Sequence, residues 1–137
     1  MQPLYGPRLE IDEPTDEELD WIFESLQRPE IHLPLSCPSP PSRVLFDAGQ
    51  IETVERGERG ALMPRFFVGR SREDGQPIAF FFDFGWDGPF DVVRDLDLAI
   101  PQSGAGIWTY VEANLMIVMY LFKHRLARRA RWRVASE

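Results

Sequence analysis

Apolar residues at helical spacing give way to proline, then to strand runs, and finally to a second helical stretch. Leu19, Ile22, Phe23 and Leu26 recur at helical spacing, with Trp21 on the flank. Just before them, Thr15-Asp16-Glu17-Glu18 forms a capping box. The Thr15 side chain accepts from a first-turn amide while Glu18 reaches back to the Thr15 N–H. The pattern predicts a helix over 16–27, preceded by a short strand over 8–11 that Pro14 closes. Over 28–42, Pro29, Pro34, Pro38, Pro40 and Pro41 predict an ordered surface loop or pocket wall without regular helix or central strand. A second helix is expected over 42–56, although Gly49 weakens it.

The middle of the chain reads as strands. A strand over 65–71 carrying Phe66, Phe67 and Val68 leads into the turn signal Asp74-Gly75. Its partner over 78–84 is nearly all apolar, which places it at the sheet centre with both faces covered. Trp86-Asp87-Gly88-Pro89 turns the chain into a third strand over 92–100, completing an antiparallel meander. A long helix over 109–126 follows, with Val111, Leu115, Val118, Met119 and Phe122 expected to face the core and Ala113, Met116 and Leu121 widening that stripe. The last strand, over 130–134, is expected parallel to the third through a right-handed crossover. No internal repeat or linker is evident, so a single domain over 1–137 is expected.

Composition narrows the function classes. An apolar fraction of 44% and a charged fraction of 27% are those of a folded domain. The net charge of −7 argues against binding nucleic acid by general attraction, despite the basic cluster Lys123, Arg125, Arg128, Arg129, Arg131 and Arg133. One cysteine, Cys37, excludes an internal disulfide and leaves too few thiols for a cysteine-rich zinc site, so no metal is expected. No leader pattern opens the chain, and the longest apolar run, 115–122, is too short to span a bilayer. A cytoplasmic protein without membrane contact is expected.

Candidate chemistry gathers where the third strand meets the long helix. Pro101-Gln102-Ser103-Gly104-Ala105-Gly106-Ile107 carries two glycines whose backbone can approach an anionic ligand closely, and the helix N-terminus adds partial positive charge. Alternation places Asp95, Asp97 and Ala99 on one face of the preceding strand. His32 and His124 are the only histidines, and no serine or cysteine has a recognisable nucleophile turn around it.

The segments "EDGQPIAFFF", "DLDLAIP", "VEANL", "YLFKH" and "RRARWRV", with "YGPRLEIDEPTDEELDWIFE" at the front, occur in the order seen in the GNAT superfamily of N-acetyltransferases. The chain resembles in particular the branch that acetylates peptide N-termini and small amines. The resemblance implies an α/β fold with a mixed, mainly antiparallel sheet flanked by helices, lacking the family's last helix and strands. It implies acetyl transfer from acetyl-CoA to a small-molecule or peptide amine. Acetyl-CoA would sit in a wedge where the last two strands splay, beside Ala99 and Ile100, with Ser103, Gly104, Ala105, Gly106, Ile107 and Trp108 around the diphosphate. Asp95 matches a carboxylate that serves as base, directly or through water, and Glu30 and His32 would border the acceptor. The family pattern asks for a small residue where Trp108 stands. A catalytically inactive relative, used for oligomerisation or regulatory binding, is therefore the alternative. An unpaired last strand would favour a homodimer or larger homo-oligomer by edge pairing.

Overall fold

The computed structural model describes residues 2–33, 40–47, 66–86, 93–101, 106–123 and 129–136. Six strands form one sheet in sequential order: β1 (Leu4–Tyr5), β2 (Leu9–Asp12), β3 (Phe66–Ser71), β4 (Pro77–Trp86), β5 (Val93–Ile100) and β6 (Arg129–Ser136). Neighbours run antiparallel from β1 to β5, and β6 lies parallel to β5, as the crossover requires. The mixed, mainly antiparallel α/β architecture expected from the sequence is therefore present. β1 is an addition: at two residues it is too short to leave a period in the sequence.

The helix α1 (Asp16–Leu26) opens on the expected capping box. Glu18 N donates to Thr15 Oγ1 at 3.2 Å and Thr15 N donates to Glu18 Oε2 at 2.8 Å. Immediately after it comes a single helical turn, α2 (Pro29–His32), within the stretch expected to hold no helix. The correction is a matter of position. Pro29 stands in the first turn, where no amide partner is needed and its fixed φ suits a helix. Residues 43–47 are helical, with Leu45 N donating to Ser42 Oγ at 3.3 Å, and the remainder of the helix expected over 42–56 lies outside the described residues.

The β3–β4 hairpin closes where Asp74-Gly75 predicts. Gly75 adopts φ 75°, Asp74 Oδ1 accepts from Gln76 N at 3.0 Å, and Ser71 N donates to Gln76 O at 2.8 Å. Strand β4 is covered on both faces. Ala79 and Phe81 join Leu9, Ile11, Phe67, Leu98 and Ile100 beneath the long helix α3 (Gly106–Lys123), which contributes Ala113, Ile117, Tyr120 and Leu121. Phe80 points the other way, joining Phe66 and Ala99 beneath Ile22 and Leu26 of α1, Ile31 of α2 and Phe46.

Helix α3 corrects one sequence expectation. Val111, Leu115, Met119 and Phe122, expected in the core, are 41, 58, 69 and 45% exposed, and Val118 is half-buried. The helix is rotated so that Ala113, Ile117, Tyr120 and Leu121 meet the sheet. Both stripes are apolar at helical spacing, so periodicity alone leaves the phase open. Ala113, fully buried, lets the helix backbone approach the strands. No helix among the described residues is long and apolar enough to cross a membrane.

Candidate functional site

Strand β5 ends in residues buried on both faces: Leu98 and Ile100 face α3, and Ala99 faces α1 and α2. Beyond Pro101, which is also buried, the chain re-enters description at Gly106, the first residue of α3. Gly106 has φ 77°, and none of the described residues lies within 4 Å of the position a Cβ would take, so they leave its backbone open to approach. A side chain here would be strained by the left-handed φ, not by lack of space. The first-turn amides of an 18-residue helix converge at this point.

The sequence-predicted residues fall into three groups. Ala99 and Ile100 lie at the buried end of β5, and Gly106, Ile107 and Trp108 open α3. Ile107 and Trp108 are 70 and 62% exposed, on the side of the helix away from the sheet. Ser103, Gly104 and Ala105 lie outside the described residues. Asp95 stands near the start of β5 with its Cα opposite that of Arg131, four residues before Ala99. The third group, Glu30 and His32, is on α2. Glu30 is paired with Arg28 at 2.8 Å and His32 is buried.

Arg28 joins the third group to the first. Its Nη1 donates to the Pro101 carbonyl at 3.0 Å while its Nε donates to Glu30 Oε1 at 2.8 Å. The start of α2 is thus fastened to the first residue beyond β5, and Ile31 packs in the same cluster as Ala99. Sequence reading missed Arg28, because a single arginine before a proline belongs to no period or motif.

The resemblance implies a wedge between β5 and β6, and here the structure differs. Eight consecutive Cα partners run from Val93 opposite Arg129 to Ile100 opposite Ser136 without a shift. The strands stay together to the end of β5. The open helix N-terminus and Gly106 suit an anionic ligand, whereas a chain-like thioester arm fits between these strands only if the last pairs separate.

A separate cleft of about 560 Å³ reaches the first turn of α3 at Thr109. It lies between Arg8 and Leu9, Arg72 and Glu73, Ile78, and Thr109. None of the predicted site residues that are described lines it. Tyr110 follows Thr109, and its hydroxyl is buried with no hydrogen-bond partner among the described residues. Burial pushes that phenol's pKa up. Among the described residues no group of three His, Cys, Asp or Glu side chains is assembled that could hold a metal ion.

The fold has solved counterparts. An acetyltransferase of the GNAT family from Bacillus anthracis superposes with a TM-score of 0.66 over 96% of this chain and 72% of its own, at 10% sequence identity. An acetyltransferase from Agrobacterium tumefaciens str. C58 gives 0.63 over 92% of this chain and 70% of its own, at 12% identity. No family model matches the chain, and no curated protein does. The fold is GNAT-like, of the acyl-CoA N-acyltransferase type.

Proposed function

We propose that this chain transfers an acetyl group from acetyl-CoA to a primary amine at the C-terminal end of β5. The observation that carries the reading is one junction in a GNAT-like fold. The buried strand end at Ala99 and Ile100 leads within a few residues to the open, left-handed Gly106 and the first turn of α3. Acetyl-CoA supplies the activated thioester. Backbone amides of Ser103, Gly104, Ala105 and Gly106 hold the diphosphate, flanked by Ile107 and Trp108. Of Ala99 and Ile100, the amide that faces β6 becomes a donor to the acyl oxygen once the last β5–β6 pairs part. The amine nitrogen bonds to the acyl carbon as the carbon–sulfur bond breaks. Asp95 takes the amine's proton through a chain of waters, since roughly 13 Å of strand separates it from Ala99. Glu30 and His32 orient the acceptor from α2.

A second reading is favoured by a specific observation. The uninterrupted β5–β6 ladder suits a catalytically inactive relative that keeps the scaffold for oligomerisation or regulatory binding. Calorimetric titration with acetyl-CoA, followed by thiol release over a panel of primary amines and peptide N-termini, separates the two. Binding tighter than millimolar with thiol release supports acetyl transfer. Binding without release over the panel favours the inactive relative, and binding weaker than millimolar overturns the enzyme reading.

A further inference from the structure

The outward face of α3 carries Trp108, Val111, Leu115, Met119 and Phe122, exposed by 62, 41, 58, 69 and 45%. Their spacing is three, four, four and three residues, so the row reads the same in both directions about Leu115. Trp108 and Phe122 each stand seven residues from Leu115, and Val111 and Met119 each stand four. At about 100° per residue, all five fall within roughly 40° of the Leu115 direction. The members of each pair lie on opposite sides of that midline. When two such helices run antiparallel, Met119 of one copy lies alongside Val111 of the other, and Trp108 alongside Phe122, so the side chains interdigitate.

We propose that two copies of this chain pair antiparallel through this row, about a two-fold axis at Leu115. The pairing does not rest on acetyl transfer, although Ile107 and Trp108 border both this row and the proposed diphosphate site. A two-fold interface needs a surface complementary to itself, and a row palindromic about its centre meets that requirement. Size agrees. With large apolar side chains near 200 Å² each, the five and neighbouring Ile107, 70% exposed, present roughly 600 Å² per copy, so a pair buries about 1,200 Å², the lower end for stable complexes. A monomer rarely leaves a larger contiguous apolar patch in water.

Electrostatics favour a second copy over a bilayer. The charged residues of α3 are Glu112 and Lys123, and the Glu112 carboxylate is turned to the backbone amides of Arg8 and Leu9. Pairing therefore desolvates no charge within the row, and antiparallel helix dipoles attract. The chain's net charge of −7 opposes an anionic membrane surface. It also repels a second copy, but added salt screens that repulsion and tightens the dimer.

Sedimentation equilibrium at micromolar concentrations is expected to show a dimer that salt strengthens and Leu115→Asp converts to a monomer, whose thermal midpoint matches that of the wild type diluted until it dissociates. Cross-linking then fixes the geometry. With Cys37 replaced by serine, Leu115→Cys is expected to oxidise to a covalent dimer, because facing helices at an 8–10 Å axial distance bring these positions within disulfide reach. Trp108→Cys alone should not cross-link to itself, whereas a mixture of Trp108→Cys and Phe122→Cys chains should, since each lies about 20° from the Leu115 direction at matching heights. A wild-type monomer, a dimer untouched by Leu115→Asp, or Trp108→Cys cross-linking to itself as readily as Leu115→Cys would each overturn the proposal. So would binding to anionic vesicles by a protein that stays monomeric in solution.

Discussion

Gly6 lies so close to Glu112 that a single added methyl group would collide with the Oε1 of that carboxylate. The same oxygen accepts from Arg8 N at 2.7 Å and Leu9 N at 2.9 Å, so the start of β2 is held by the second turn of α3 across more than a hundred residues of sequence. A Cβ on Gly6 would also meet Met116 Sδ at 2.7 Å. Gly6→Ala is therefore expected to destabilise the protein by about 1–3 kcal/mol through overpacking. Glu112→Ala should cost about 1–3 kcal/mol by leaving the half-buried Leu9 amide without its acceptor, and Glu112→Gln less, because the amide carbonyl still accepts. Urea unfolding of the two alanine variants and their double mutant would show coupling: the truncated Glu112 no longer blocks the Gly6 methyl, so the costs should not add.

Arg70 organises a different corner. Its guanidinium, with the side chain 14% exposed, bonds Glu18 through Nε at 2.5 Å and Nη2 at 2.7 Å and reaches Glu10 Oε1 at 3.1 Å. Glu18 also closes the capping box, so one carboxylate serves both the start of α1 and the β3 cation. Burial alone would raise the Glu18 pKa. The hydrogen bonds from Arg70 and the Thr15 amide outweigh it and hold the carboxyl below the usual carboxylate range. A carboxylate lowered in the folded state contributes stability that is complete above its unfolded value, about pH 4.3, and is lost as pH falls through the folded value. Arg70→Met is expected to cost about 3 kcal/mol near neutral pH, by leaving Glu18 buried without its cation. Denaturant midpoints measured from pH 7 to 3 should fall less steeply in Arg70→Met than in the wild type.

The sheet centre was legible in the sequence because β4 is apolar at consecutive positions, a pattern that only two-sided burial satisfies. Phe80 is its fully buried midpoint, edge-on to Trp21 at 5.8 Å and to Phe66 at 6.4 Å. Phe80→Ala is expected to cost about 3–5 kcal/mol, and Phe80→Leu markedly less. Thermal unfolding monitored by Trp fluorescence would report both.

Local signals located the capping box of α1, the Asp74-Gly75 turn and the strand–helix–strand crossover, since each depends on residues adjacent in sequence. What went unread depends on distant ones. The phase of α3 is set by which of two apolar stripes fits the sheet, and Ala113 decides it only when opposed to strands that lie elsewhere in the chain. Glu112 carries no local signal of its role, because its partners, Arg8 and Leu9, are about a hundred positions away. The candidate site was legible as a location, the end of β5. Whether β5 and β6 part there is a property of pairing that no local motif encodes.

Arg28 offers a way to test that parting. Its Nη1 bond to the Pro101 carbonyl fastens the residue that follows Ile100, where the β5–β6 ladder ends opposite Ser136. A hydrogen bond from a charged donor contributes about 1.5–3 kcal/mol, so its loss should let the strand end open roughly tenfold more often or more. Arg28→Ala is expected to speed hydrogen exchange by that factor at whichever of the Ala99 and Ile100 amides faces β6, while leaving exchange at Phe80 and Phe81 unchanged. If acetyl-CoA binds only where the pairs have separated, its apparent affinity rises in proportion to the opened fraction. Faster exchange with weaker acetyl-CoA binding would instead make Arg28 a direct contact of the ligand, and unchanged exchange would show that Arg28 does not hold the strand end shut.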